Sequence, residues 1–249
     1  MAFARIKADL FIEKPMAVDL KEAKQILSEC TAQGLVVMVG YALHFLKPLK
    51  IVKDAIDAGR IGSPLSLQAS VGRFLPVWRP SGYTRGISAR REFGGGVVFE
   101  LSHKLDYARW LMGEPSHISA MTATVSGLPI DVEDVADINL RFNGGALGSI
   151  HMDMIDRVLH RGCRVSGSDG TMVWEFDGKH RVSVWQASTG KWEILFDDAA
   201  YDYQEMYIDY CCHFLKCVKS RQQPCVSGQD GYKALDVKDS ARTERTVQL

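Results

Sequence analysis

Glu100, His103 and Asp106 are spaced three apart in Phe99-Glu100-Leu101-Ser102-His103-Lys104-Leu105-Asp106, directly behind Gly94-Gly95-Gly96. On a helix that spacing sets a carboxylate, an imidazole and a second carboxylate along one edge. Side chains of this kind hold and pass protons. The opposite side, Val98, Leu101, Leu105 and Trp110, is apolar enough to bury. The glycines carry no Cβ, so other backbone or a ligand can approach closely. The stretch reads equally as a site and as an ordinary amphipathic helix with a glycine-rich lead-in.

A second candidate is the loop Trp78-Arg79-Pro80…Tyr83-Thr84-Arg85. Aromatic faces suit sugar rings, and guanidinium forks suit carboxylate or phosphate groups. A solvated basic loop or a subunit contact has the same composition. His151 and Asp153 share one face of a strand, but two residues do not make a metal site, so no metal is expected. Cys211-Cys212-His213 reads as core helix rather than as a ligand set. The six cysteines (Cys30, Cys163, Cys211, Cys212, Cys217, Cys225) form no C-x-x-C pair. They read as reduced thiols of a cytoplasmic protein.

The elements that must position these residues follow from periodicity. Ala8 to Ile12 is a short apolar strand ending in Glu13-Lys14-Pro15. Asp19 then caps a helix with Glu22 at capping-box offset, and Gly34 ends it. Leu35 to Val39 is apolar without alternation, as in a strand buried on both faces. Pro48 opens a further helix that Gly59 stops. Strand, helix, strand, helix with short loops is a parallel α/β unit. Leu65 to Val71 alternates with period two, and His117 to Phe196 reads as successive strands. Asn143-Gly144-Gly145, Ser168-Asp169-Gly170, Asp177-Gly178 and Thr189-Gly190 are tight-turn signals that join antiparallel neighbours. A helix from about Asp202 to Lys219, with Tyr207, Tyr210, Cys211, Phe214 and Val218 as its stripe, precedes Pro224. A last helix spans about Gln229 to Arg242.

Thirty basic residues balance thirty acidic ones over 249 residues, and 46% of the chain is hydrophobic. No basic excess draws it to nucleic acid or to an anionic membrane, and no apolar run approaches spanning length. Met1 to Lys7 lacks the apolar core of a signal peptide.

The ordered set of features resembles the Gfo/Idh/MocA family of NAD(P)-dependent sugar and cyclitol oxidoreductases. The set comprises Glu13-Lys14-Pro15, a buried strand into Gly40-Tyr41, Gly59-Arg60-Ile61-Gly62, the glycine run with His103…Asp106, the antiparallel sheet, and Phe214…Pro224…Ala234-Leu235. The resemblance runs through essentially the whole chain. It implies an α/β (α+β) fold. Residues 1–60 would be the remnant of a doubly wound, Rossmann-type parallel unit. Residues 61–249 would be a substrate-binding and oligomerisation domain, a large open, mostly antiparallel sheet with helices on one face. It also implies NAD or NADP as cofactor and hydride transfer at a sugar-type secondary alcohol. Lys14 matches the family's catalytic lysine, the base that takes the hydroxyl proton. His103 matches the histidine near the reacting carbon. Glu100 stands near the usual aspartate, three residues from the histidine where four is typical. Glu13, Lys14, Pro15 and Tyr41 fall on the cofactor side; Arg79, Tyr83, Arg85 and Asp106 fall on the substrate side. His44 stands where the family often has arginine.

No G-x-G-x-x-G phosphate loop occurs in the chain. The expectation is therefore a truncated chain, beginning near the fifth strand of the nucleotide domain. Two readings stay open: an oxidoreductase, or an inactive fragment that keeps sugar binding or oligomerisation. The family also implies a homo-oligomer through the uncovered sheet face, with Ile150, Met152 and Met154, or their alternates, in contact.

Overall fold

A computed structural model describes residues 7–80, 82–241 and 247–248. The chain divides into two compact units: one runs to Leu46 and takes in Asp202–Asp239, and the other comprises Lys47–Tyr201 and the residues from Ser240.

In the first unit, β1 (Leu10–Ile12) pairs in parallel with β2 (Val37–Val39), Leu10 opposite Val37 and Ile12 opposite Val39. The crossover between them is α1 (Leu20–Ala32). Asp19 caps it by accepting from Glu22 N at 2.8 Å. Glu22 reaches back to Val18 N (3.3 Å), one residue before the cap. The chain leaves the helix through Gly34 at φ +64, a left-handed turn that glycine adopts without strain. All three β2 residues are buried, as an unalternating apolar run requires. Met16, Ala23, Val39, Tyr41, Val226, Ala234 and Leu235 form the core.

Two C-terminal helices complete this unit, α4 (Tyr203–Ser220) and α5 (Gly228–Ala241). A Cβ on Gly231 would lie 2.5 Å from Val39 Cγ2, so glycine lets α5 press onto β2. The end expected for this last helix, Arg242, lies outside the described residues, as does most of the N-terminal stretch read for a signal peptide. The stripe expected on α4 is displaced. Met206, Tyr210 and Cys217 are buried, while Tyr207 is 55% exposed and Cys211 and Cys212 are exposed too, so that pair is not core. Several apolar residues on this helix cannot all face inward. Tyr210 is fixed by stacking against Phe11 (4.6 Å between centroids) and Phe45 (5.4 Å), and its position sets the rotation.

The second unit is built on a nine-stranded sheet. Its strands are β3 (Pro64–Gly72), β4 (Pro115–Ala123), β5 (Val135–Phe142), β6 (Leu147–Asp153), β7 (His160–Gly167), β8 (Gly170–Phe176), β9 (His180–Gln186), β10 (Lys191–Asp198) and β11 (Val247–Gln248). Their order is β10-β9-β8-β7-β3-β6-β5-β4-β11. Every tight-turn signal joins an antiparallel pair, and β3 against β6 is the one parallel pairing among them.

One face of the sheet is packed, with α2 (Lys47–Asp57) and α3 (His103–Met112) in contact with it. Leu67, Ala69 and Val71 of β3 point into this core, while Gln68 is exposed between them. Ile150, Met152 and Met154 are buried at 0–1% exposure on the same side, which corrects their expected place at an open face. Their alternates on β6, Leu147, Ser149, His151 and Asp153, lie on the opposite face. Strand period two forces this choice: the apolar set of β6 goes to the side where α3 lies. No helix of the described residues is long and apolar enough to cross a membrane.

Candidate active site

The glycine run is tied down by the protein itself. Gly95 N donates to Arg90 O at 2.9 Å, and a Cβ on Gly95 would collide with the carbonyl of Ile87. Gly96 has φ +112, and a Cβ there would take the space of the Glu133 carboxylate. Val97 N then donates to Glu133 O at 3.0 Å. The close approach that the glycines allow is therefore made by residues 87–90 and by Glu133.

The helix expected to carry Glu100, His103 and Asp106 on one edge is interrupted. A single turn, Val97–Glu100, ends at Leu101 (φ −100, ψ 16), and α3 starts afresh at His103. Glu100 thus precedes the break, and only His103 and Asp106 share a helix. Nor is α3 amphipathic: every residue from Lys104 to Arg109 is buried, including Asp106 at 2% exposure. Arg109 answers its own burial with two 2.8 Å bonds to the carboxylate of Glu114. His103 is half-buried at the start of the helix.

Glu100 (8% exposed) faces Arg79, whose Nη2 lies 3.6 Å from Oε2. The Arg79 guanidinium also lies over the Trp78 ring at 4.8 Å, and that of Arg73 stands 5.8 Å from the same ring. The loop after β3 thus delivers Arg79 to the residue that opens the α3 region. Tyr83 and Arg85 lie on a separate 3₁₀ turn, Tyr83 half-buried and Arg85 exposed, held by Arg90 Nε donating to Thr84 O at 2.6 Å.

The cofactor-side candidates belong to the first unit. Lys14 is half-buried just past β1, its N–H on Glu13 Oε2 at 3.2 Å and its bond to Pro15 cis. Gly40 N donates to Ile12 O at 2.7 Å, and a Cβ on Gly40 would lie 2.9 Å from Lys14 N. Glycine at this place lets the end of β2 close on Glu13-Lys14, at the carboxyl end of a parallel pair, where doubly wound sheets take their ligands. Tyr41 is fully buried in the core. Burial, and after it the Glu13 carboxylate, raise the Tyr210 hydroxyl above the usual tyrosine range. His44 is buried on a 3₁₀ turn, Ala42–Phe45.

Sequence reasoning missed a cluster on the packed face of the sheet. Lys104 is 3% exposed, its Nζ 4.9 Å from the Tyr107 ring centroid and 5.4 Å from that of Trp174. Burial, then Arg161, push its ammonium well below the ordinary lysine range. Tyr107 donates to Gly162 O at 3.2 Å, and burial raises the Cys163 thiol to about 12. A lysine on a helix reads as solvated, and nothing in its immediate sequence says otherwise. On the other face of the sheet, His151 contacts Asp137 (2.7 Å) and Asp153 (3.4 Å). Among the described residues no group of three or more His, Cys, Asp or Glu could hold a metal ion.

A parallel strand pair with its crossover helix, and a large, mostly antiparallel sheet helix-covered on one face, define a protein of the α/β class. The sequence model of the GFO/IDH/MocA C-terminal domain matches residues 49–173, and the chain belongs to that family. It is 29% identical to a myo-inositol 2-dehydrogenase of Thermotoga maritima, over all of this chain and 75% of that protein. It is 26% identical to an NAD(+) scyllo-inositol 2-dehydrogenase of Bacillus subtilis, over 96% of this chain and 70% of the relative. The solved structure of levoglucosan dehydrogenase with NADH and levoglucosan shares the fold at a TM-score of 0.90 and 22% identity, covering all of this chain and 76% of that one.

Proposed function

We propose that the chain belongs to an NAD(P)-dependent oxidoreductase that acts on a sugar or a sugar-derived secondary alcohol. The observation that carries the reading is Lys14 at the carboxyl end of β1, held there by Gly40, in a chain of this family. In the same reading residues 1–60 close a dinucleotide-binding domain, and residues 61–249 bind substrate and associate.

Bound NAD(P) supplies the hydride acceptor or donor. The strand-end segment Glu13–Pro15, with Tyr41 behind it, fits the nicotinamide end of such a cofactor. The 249 residues contain no G-x-G-x-x-G loop for its pyrophosphate. The chain's own residues handle the proton. Lys14 takes it from the reacting hydroxyl, from its half-buried place at the end of β1. His103 binds a substrate hydroxyl from the start of α3. Glu100 holds Arg79, and Asp106 orients the groups about it. Arg79, Tyr83 and Arg85 receive the rest of the sugar. The open sheet face, with Met121 at 79% exposure and Leu147 at 54%, is the proposed surface for a second copy of the chain.

Fluorescence titration with NADH and NADPH tests the reading. Micromolar binding supports the oxidoreductase. Sugar binding without cofactor binding selects the alternative, a catalytically inactive chain that keeps its sugar pocket or its association surface. Where turnover is measurable, Lys14→Ala and His103→Ala each lower kcat by two orders of magnitude or more, as is usual for a lost acid or base (about 10²–10⁴-fold). Unchanged turnover removes those two assignments. A monomer in sedimentation at micromolar concentration removes the association.

A further inference from the structure

Lys104, Arg161 and Arg73 are three cations with no carboxylate partner among the described residues. Lys104 has two ring faces beside its ammonium. Arg161 stands on β7 opposite Val71 and Phe176, with its guanidinium 5.6 Å from the Phe176 ring, and its buried Nε has no hydrogen-bond partner. Arg73 continues from β3, its guanidinium near Trp78.

Arg161 links the other two: it stands opposite Val71, two residues before Arg73, and its charge reaches both Lys104 and Arg73. Arg161 is the charge that depresses Lys104, and it heads the charges that depress Arg73, after burial in each case. Two acids near this end of the sheet are engaged elsewhere. Glu100 faces Arg79, and Asp153 accepts from Ile155 N at 2.9 Å and Asp156 N at 2.6 Å and contacts His151. A buried cation without a counter-charge is destabilising, and Lys104 is buried beside the half-buried Arg161, whose Nε lacks a partner, which leaves a place for an anion to be supplied from outside. Aromatic walls around such a place exclude water and strengthen the attraction.

We propose that Lys104, Arg161 and Arg73 form an anion subsite on the packed face of the sheet, taking a carboxylate or phosphate group carried by the sugar substrate. The inference rests on the sugar-binding reading above and adds a substrate class to it: sugar acids or sugar phosphates rather than neutral sugars.

Calorimetric titration of the full chain with inorganic phosphate, D-glucuronate, D-glucose 6-phosphate and D-glucose tests it. Charge-assisted hydrogen bonds to a bound anion predict that the better charged sugar binds at least about tenfold more tightly than D-glucose. The stronger of the two names the source of the anion. Lys104→Met and Arg161→Met should each erase the preference and leave D-glucose binding within about twofold. The first replaces a buried cation by an apolar side chain of similar length, and the second lies at a half-buried position, so the fold is retained in at least one. Phosphate binding that depends on Lys104 and Arg161, with no sugar bound, supports the subsite and removes the sugar reading. Charged and neutral sugars bound alike, in wild type and both variants, removes the subsite and keeps the sugar reading. Absence of binding by phosphate and by both charged sugars overturns the subsite.

Discussion

His180 should make this protein lose stability in mild acid, by an amount the structure lets us work out. The side chain is 2% exposed, and its Nδ1 accepts from Trp174 Nε1 at 3.1 Å. That bond requires the neutral ring, because a protonated Nδ1 is a donor. Aromatic rings surround it: Phe176 at 4.5 Å, Tyr201 at 5.6 Å and Trp174 stacked at 6.0 Å between centroids. Burial first, and the Arg161 charge second, lower its pKa from 6.5 to about 4. Between those values the unfolded chain carries a proton on this residue that the folded chain refuses. Stability is therefore full above pH 6.5, falls as pH drops toward 4, and levels off below. At about 1.4 kcal/mol for each tenfold change in proton affinity, the loss is about 3 kcal/mol. For a chain of this length that lowers the melting temperature by about 6–12 °C.

Other groups titrate below pH 5, so the assay is a difference. Urea unfolding of wild type and His180→Phe is followed from pH 7.5 to 4. The variant pays a constant cost of about 1–3 kcal/mol for the orphaned Trp174 N–H, independent of pH. What the reasoning demands is that the gap between the two proteins narrow by about 3 kcal/mol on acidification. A constant gap, or an NMR titration of the His180 ring with its midpoint near 6.5, refutes it. Arg161→Met should move that midpoint upward.

Lys104 carries a dependence of the same sign into the alkaline range. Its depressed pKa means that below the free-lysine value of 10.5 the unfolded chain binds the extra proton, so wild-type stability should rise as pH climbs toward that value; Lys104→Met should flatten the rise in urea unfolding, and an unchanged slope refutes the assignment. Asp134, fully buried, accepts from Val125 N at 2.9 Å and Ser126 N at 3.0 Å. Asp134→Ala should cost about 2–4 kcal/mol in the same assay, two buried N–H groups being left without acceptors, and a cost below 1 kcal/mol would show that water replaces the carboxylate. Gly96→Ala drives a Cβ into Glu133 at a φ that alanine resists, so it should destabilise by about 1–3 kcal/mol where Gly127→Ala, at φ +67 in open space, costs only about 1 kcal/mol.

Local chemistry alone determined much of this protein. Asp19 with Glu22 starts α1 because a cap acts over three residues, and Gly34 ends it because only φ > 0 turns the chain there. Four turn signals settled four antiparallel pairings, since connections of two to four residues leave no room for a crossover. The ordered motifs identified the family, and Lys14 and His103 were named as candidates from it.

Tertiary packing decided the rest. Glu100 and His103 look like one helical edge in sequence, but the break at Leu101-Ser102 lets Val97–Glu100 follow Glu133 while α3 turns into the sheet. Such a break depends on what each half packs against, and no local residue announces it. The face chosen by Ile150, Met152 and Met154, and the rotation of α4, depended likewise on partners distant in the chain. The same holds for Lys104. Its neighbours in sequence mark it as a surface charge. Its neighbours in space, Tyr107, Trp174, Arg161 and Cys163, come from α3, β7 and β8, and only their convergence turns an ordinary lysine into a buried one whose charged form is disfavoured.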